Sequence, residues 1–209
     1  MSQNSKPDET EFDRWQQRFA APGYLFGTAP NAFLQAQAHL LRPGQSALAI
    51  ADGEGRNGVF LAEQGLDVLS VDFSPLAQEK VRKLAAERGV TLRVEQADMT
   101  NWTWSEAVFD VVAAIFIQFT APPQRAKMFA GIKRTLKPGG LLLMQGYGLK
   151  QLDYKTGGPS DPTQLYTREL LQDAFGDFSS LDIREYDSVI QEGSRHAGMS
   201  ALIDLVARK

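Results

Sequence analysis

Ala47-Leu48-Ala49-Ile50-Ala51-Asp52-Gly53-Glu54-Gly55-Arg56-Asn57-Gly58 constrains the fold of this chain more than any other stretch. An apolar run suited to a buried parallel strand breaks at Asp52, a glycine-spaced turn follows, and Val59-Phe60-Leu61-Ala62 starts a helix. That order exposes backbone N–H groups at a helix N-terminus, where glycines let a ligand approach the main chain closely. Gly53-x-Gly55-x-x-Gly58 matches the dinucleotide fingerprint, although short glycine spacings also arise by chance. Nineteen residues beyond Gly53, the segment Asp67-Val68-Leu69-Ser70-Val71 ends in Asp72. An acid at that spacing accepts hydrogen bonds from a ribose diol. Turn and acid together point to a nucleoside-containing cofactor.

Strands and helices alternate from there. Strands are predicted over 47–51, 68–71, 92–95, 109–116 and 141–145, and helices over 57–64, over 75–88 and from Pro122-Pro123 to 135. Ser74 reads as an N-cap with Pro75 at the first helical position, and Lys137-Pro138-Gly139-Gly140 leads into the fifth strand. The helix bearing Gln78, Glu79, Lys80, Arg82, Lys83, Glu87 and Arg88 reads as a solvated face with a Glu79–Lys83 pair. Ahead of the alternation, some ten polar residues are expected to be disordered, and Phe12, Trp15 and Phe19 then recur at helical spacing. An aromatic loop over 24–31 and a helix over 30–41 follow, the latter stopped by Arg42-Pro43-Gly44. Behind it come a loop over 147–166, a helix over 167–175, and two β-like runs, 181–190 and 199–207, that read as an antiparallel hairpin. Right-handed crossovers make the expected architecture α/β and Rossmann-like. It is a doubly wound, mostly parallel seven-stranded sheet with a C-terminal antiparallel hairpin. One domain spans 31–209, and 1–30 form a tail able to act as a lid.

Bulk properties exclude several classes. At 209 residues, 43% hydrophobic and 22% charged, the chain suits one domain with a full core. A net charge of −3 offers no basic surface for counterion release, which argues against nucleic acid. Zero cysteines exclude disulfides, thiolate-bound metals and thiol catalysis, and two histidines make a histidine metal site unexpected. The N-terminus lacks an apolar leader, and the run 111–117 is too short to span a bilayer. A cytoplasmic protein without membrane partners is expected.

Four runs carry a family resemblance: Asp52-Gly53-Glu54-Gly55-Arg56-Asn57, Asp72 after the second strand, Asp98-Met99 after the third, and Leu136-Lys137-Pro138-Gly139-Gly140-Leu141 before the fifth. With them the chain resembles the class I S-adenosylmethionine-dependent methyltransferases over nearly its whole length. The resemblance implies S-adenosyl-L-methionine as cofactor, with the turn's backbone at the methionyl part and Asp52, Gly53, Glu54, Gly55, Arg56 and Asn57 around it. It further implies Asp72 at the ribose, Asp98 and the Met99 main chain at the adenine, and Phe73, Ile115 and Phe116 beside the cofactor. Ala51 stands where many such enzymes have an acid two residues before the first glycine. The Asp-Gly-Glu-Gly-Arg-Asn form is similar to the tellurite-resistance methyltransferase subgroup. So are Tyr24-x-Phe26-Gly27-x-x-Pro30-Asn31-x-Phe33-Leu34, Tyr154-x-Thr156-Gly157-Gly158-Pro159 and Glu192-Gly193-x-x-His196-x-Gly198.

Methyl transfer from a sulfonium needs an aligned lone pair and a site closed to water. A soft small-molecule nucleophile such as a thiol or a selenium or tellurium oxyanion needs little base assistance. Tyr24, Phe26, Phe116 and Phe119 can supply aromatic faces, although the last two also suit the core. Gln118, Tyr147 and Tyr154, with Tyr24, are the acceptor-side candidates. Gln118 can orient an acceptor but cannot deprotonate it. His196 and Arg195 are the candidate catalytic pair, Arg195 and Arg56 are candidate anion partners, and His39 reads as structural.

A nicotinamide-dependent oxidoreductase would explain the glycines and Asp72 but not Asp98-Met99, and the chain has no Tyr-x-x-x-Lys pair. A fold that binds the cofactor without turnover is the second alternative. No Asn/Asp-Pro-Pro-Tyr run follows strand four, where Ile117-Gln118-Phe119-Thr120 stands, so DNA-base and glutamine amino groups are not expected acceptors.

Overall fold

A computed structural model describes residues 10–193 and 196–209, His196 through its backbone only. One sheet runs through the molecule in the order β3-β2-β1-β4-β5-β7-β6. Its members are β1 (Ser46–Ile50), β2 (Asp67–Asp72), β3 (Arg93–Gln96), β4 (Phe109–Ile115), β5 (Leu136–Tyr147), β6 (Ser180–Glu192) and β7 (His196–Arg208). The first five pair in parallel, whereas β7 runs antiparallel to β5 and to β6. This is the mostly parallel, doubly wound sheet with its terminal hairpin. The chain winds outward from β1 to β3, then returns to β4 on the other side, so the switch point lies between β1 and β4.

The central strands are apolar on both faces because helices cover both. Leu48, Ile50, Val112, Ala114, Leu142 and Met144 face α5 (Pro122–Thr135) and α7 (Arg168–Phe175), packing on Met128, Phe129, Ile132, Leu171 and Phe175. The alternate residues Ala47, Ala49, Val111, Ala113, Leu141 and Leu143 face α2 (Ala32–Ala36) and α3 (Arg56–Glu63), against Phe33, Leu34, Phe60 and Leu61. Ser74 accepts from Ala77 N–H at 3.1 Å and caps α4 (Pro75–Arg88), which Gly89 closes in the left-handed conformation. Thr167 caps α7 in the same way.

Three expectations change. The helix foreseen over 30–41 is a five-residue α2 capped by Asn31, followed by a short 3-10 turn at Ala38–Leu40. Asn31 interrupts because its side chain accepts from Leu34 N–H while its own N–H is bonded elsewhere. The loop over 147–166 holds α6 (Gln151–Tyr154) and a 3-10 turn at Pro162–Gln164. The polar face of α4 is only partly solvated. Gln78 is buried and donates to the Asp72 carbonyl, Lys80 pairs with Glu54, and Lys83 is nearer Glu87 (3.9 Å) than the expected Glu79. The N-terminal helix α1 (Glu11–Ala20) packs on α4 beside the end of β2. No described helix is long and apolar enough to cross a membrane.

Gly131 of α5 lies against the Trp104 indole, which a β-carbon would overlap. Alanine is favoured over glycine in a helix by about 1 kcal/mol, but overpacking costs about 1–3 kcal/mol. Gly131→Ala should therefore lower the urea midpoint at unchanged m. A variant as stable as the parent would mean that Trp104 swings away freely.

Candidate active site

Beyond β1 the backbone turns left-handed at alternate residues: Ala51 (φ 46°), Gly53 (58°) and Gly55 (89°). The expected spacing of Gly53, Gly55 and Gly58 is thus displaced by one turn element, with Ala51 in and Gly58 out. Gly58 sits within α3, where a β-carbon would overlap the Asp52 carboxylate. Its N–H donates to both Asp52 oxygens (3.1 and 3.2 Å), and the Ser70 hydroxyl of β2 donates to Oδ2 at 2.7 Å. Asp52 therefore points back under the turn rather than out of it. Phe116 (φ 55°), at the end of β4, is a second non-glycine residue in the left-handed region. Such conformations are costly and persist where the surroundings impose them, typically at functional sites. Ala51 and Phe116 flank the switch point.

Asp72 is 4% exposed. Its Oδ2 accepts from Gly53 N–H and its Oδ1 from Ser74 N–H, both at 2.9 Å. Each oxygen keeps a second lone pair for a ligand hydroxyl. Burial pushes Asp72 up to about 6 against the pull of the Ser74, Gly53 and Phe73 amides. Burial likewise pushes Asp52 up to about 7, opposed by Ser70 and Gly58 and reinforced by Asp72. Phe73 follows, its ring edge-on to Phe12 of α1 at 5.6 Å. Beyond β3, Asp98 is exposed and bonded to Thr100 (2.9 Å to its N–H, 2.8 Å to its hydroxyl), while Met99 is buried in the core. Ile115 is buried at the end of β4.

The remaining side chains of the turn face the protein. Glu54 takes the Lys80 ammonium (2.6 Å) and the Leu25 N–H (2.5 Å). Arg56 pairs with Glu192 at 2.7 Å, both side chains nearly buried. Asn57 Oδ1 accepts from Asn31 N–H at 2.9 Å. The turn thus offers a ligand its backbone, and its side chains recruit the two ends of the chain. Phe19 of α1 lies over Gly53, Gln16 of α1 bonds the Ser74 hydroxyl, and Trp15 stacks on Phe19 (5.3 Å) and reaches Phe26 (6.3 Å).

At the far side, Phe116 and Tyr147 lie 4.7 Å apart, and Tyr147 clusters with Leu165 and Leu202, against which Ile190 packs. Burial, then the Glu192 charge, hold the Tyr147 phenol above its ordinary pKa. The other acceptor-side candidates do not converge here. Gln118 is a brace: its amide donates to the carbonyls of Tyr147 (2.8 Å) and Gln164 (3.2 Å) and accepts from Tyr147 N–H (2.5 Å). Phe119 packs against the core. Tyr24 docks on Val59, Leu84 and Ala85 between α3 and α4, its hydroxyl on the Lys80 carbonyl (3.3 Å). Tyr154 joins Lys150 and Asp187, on the opposite face of β6 from Tyr186, which packs near Tyr147. Arg56 is committed to Glu192 and so is not a waiting anion partner. Arg195 and the His196 side chain lie outside the described residues.

Sequence reasoning passed over Asn31, Gln145 and Glu192. Asn31 Nδ2 donates to Gln145 Oε1 (2.7 Å) and Glu192 Oε1 (2.9 Å), and Gln145 Nε2 donates to Asp204 (2.6 Å). Asn31 and Glu192 do stand within the two runs that resemble the subgroup, so that signal was present. Among the described residues, no group of three or more His, Cys, Asp or Glu is arranged to hold a metal.

Sheet order, turn and switch point together define a doubly wound, Rossmann-like α/β fold. Residues 47–140 match the family model described as a methyltransferase domain. A demethylmenaquinone methyltransferase of Renibacterium salmoninarum is 31% identical over 131 residues, 62% of this chain and 50% of that one. The chain spans 29% to 50% of the length of the curated relatives it matches. A solved structure concerned with conversion of a disulfide bond into a thioacetal group during echinomycin biosynthesis superposes with a TM-score of 0.75 at 20% identity, covering 96% of this chain and 92% of that one. TehB from Haemophilus influenzae gives 0.69 at 15% identity, over 95% and 66%.

Asp52 and Asp72 hold protons in the native state that the unfolded chain, with carboxyls near 3.8, releases earlier. Their contribution is complete below the unfolded value and is lost as pH rises through about 6 and 7. Asp52→Asn should flatten the fall in stability between about pH 4 and 7.5, measured by urea unfolding at each pH. Parallel curves for the two proteins would show that Asp52 ionises alike in both states.

Proposed function

We propose that this protein is an S-adenosylmethionine-dependent methyltransferase acting on a small-molecule acceptor. The observation that carries this reading is the left-handed turn at 51–55 with Asp72 hydrogen-bonded against it, opposite the strained Phe116. The match of residues 47–140 to a methyltransferase domain supports it. The donor set fits such a cofactor. The left-handed turn presents its backbone beside Asp72, a carboxylate with spare lone pairs is set for a diol, and the buried acids favour a cation. When bound, the cofactor supplies a methyl group on a positively charged sulfur. The backbone of 51–55 would hold its methionyl part, Asp72 its ribose hydroxyls, and Asp98 with the Met99 main chain its adenine, between Phe73 and Ile115. Phe116 and Tyr147 would wall the transfer position and exclude water.

Charge inventory narrows the acceptor. Arg56 and Lys80, the two described cations beside the turn, are each spent on a carboxylate. A selenium or tellurium oxyanion would have to rely on Arg195. A thiol enters uncharged and gives up its proton as the thiolate takes the methyl, and it is the better-supported acceptor, consistent with the sulfur chemistry of the echinomycin-related neighbour. His196 and Arg195 remain the proposed groups that orient it.

Calorimetric titration with S-adenosylhomocysteine, with NADH as control, tests the reading. Micromolar binding of the first alone is expected, and Asp72→Ala should weaken it by about 1–3 kcal/mol. NADH binding without S-adenosylhomocysteine binding would convert the protein into an oxidoreductase. Among acceptors, thiols should be methylated ahead of selenite and tellurite, and the reverse order would return the anion partners to the site.

A further inference from the structure

β5 keeps register with β7 only as far as Tyr147↔Leu202, whereas β6 and β7 go on pairing to Glu192↔His196. The end of the hairpin is therefore a two-stranded ribbon overhanging the sheet edge, and such a ribbon is marginal by itself. Its Ile190 packs against the cluster of Tyr147, Leu165 and Leu202, so the ribbon borders the proposed transfer position. Its β7 side is held by the segment after β5, where Ala201 bonds Gly148 and Gln151 and the Met199 carbonyl accepts from Thr156, and a further set of contacts lies near its tip.

Glu192 supplies them. Its Oε2 takes Arg56 (2.7 Å), the first residue of the helix behind the cofactor turn. Its Oε1 takes Asn31 Nδ2 (2.9 Å) and Ala32 N–H (3.3 Å) at the start of α2. Asn31 passes the connection to Gln145 of β5. The next residue, Gly193 (φ 68°), meets the aromatic loop backbone to backbone, where a β-carbon would overlap the Leu25 carbonyl and lie 2.5 Å from Phe26 Cα. The same loop is held from the other side by Glu54 through Leu25 N–H. Carboxylates at the two edges of the site thus fasten the C-terminal arm and the N-terminal loop to one another and to the turn.

We propose that Glu192 is a positioning residue: through Arg56 and Asn31 it clamps the overhanging β6–β7 arm onto the cofactor turn and so completes the acceptor wall. The inference rests on reading this edge as the methyl-transfer site. Removing one partner of a buried ion pair strands the other, so either single change should release the arm.

Hydrogen exchange of the full chain reads the clamp directly. Amides of 187–193 and 24–27 should lose about tenfold protection in Glu192→Gln and in Arg56→Gln, with no further loss in the double variant, because coupled residues are not additive. Glu192→Asp should recover part of the protection. In methyl transfer to 2-mercaptoethanol, Glu192→Gln should lower kcat by about tenfold or more, the size of effect that small misplacements produce, with KM for the donor within about threefold. Unchanged exchange in Glu192→Gln, additive losses, or an unchanged kcat would overturn the clamp. Absence of S-adenosylhomocysteine binding by the parent protein would instead sink the cofactor reading and leave the exchange result standing.

Discussion

Two carboxylates buried within one turn hold the functional end of this molecule together. Asp52 gathers the N–H of Gly58 and the hydroxyl of Ser70, and Asp72 gathers the N–H groups of Gly53 and Ser74. Without these acceptors the left-handed run at 51–55 would have no reason to stay in so costly a conformation. Burying two acids 20 residues apart in sequence and close in space is itself unfavourable, as their upward-pushed pKa values record. The imbalance is local and lies where a cation would relieve it. A positive charge beside Asp72 favours its ionised form, so ligand binding and turn stability reinforce each other.

The layers of the sheet were legible because their causes are local. Ala47-Leu48-Ala49-Ile50 can only be a strand covered on both faces, and Ser74-Pro75 can only open a helix. The turn was legible as a turn but not in its detail. Three glycines suggested which residues bend, yet an alanine bends and a glycine in α3 makes room for a carboxylate. Nothing in the spacing distinguishes a glycine needed for φ from one needed for space. The direction of Asp52, Glu54 and Arg56 was illegible for the same reason, since each points toward a partner far along the chain.

Distance in sequence explains the uneven reading of the site. The proposed cofactor half lies within 47–140, the stretch that also matches a methyltransferase domain. The proposed acceptor half is assembled by pairs such as Asn31–Gln145, Arg56–Glu192 and Asn31–Glu192, separated by 114, 136 and 161 positions. Short-range patterns cannot report such pairs, whereas runs that carry a subgroup resemblance can, because Asn31 and Glu192 sit in two of them.

That division has a mechanical consequence. Segments on both sides of 47–140 close on the turn. α1 and the aromatic loop close from one side through Phe19 and Leu25, and the hairpin closes from the other through Glu192 and Gly193. Arg56 and Lys80, the described cations beside the turn, are each paired with a carboxylate. Charge at this junction therefore fastens distant segments of the chain to one another.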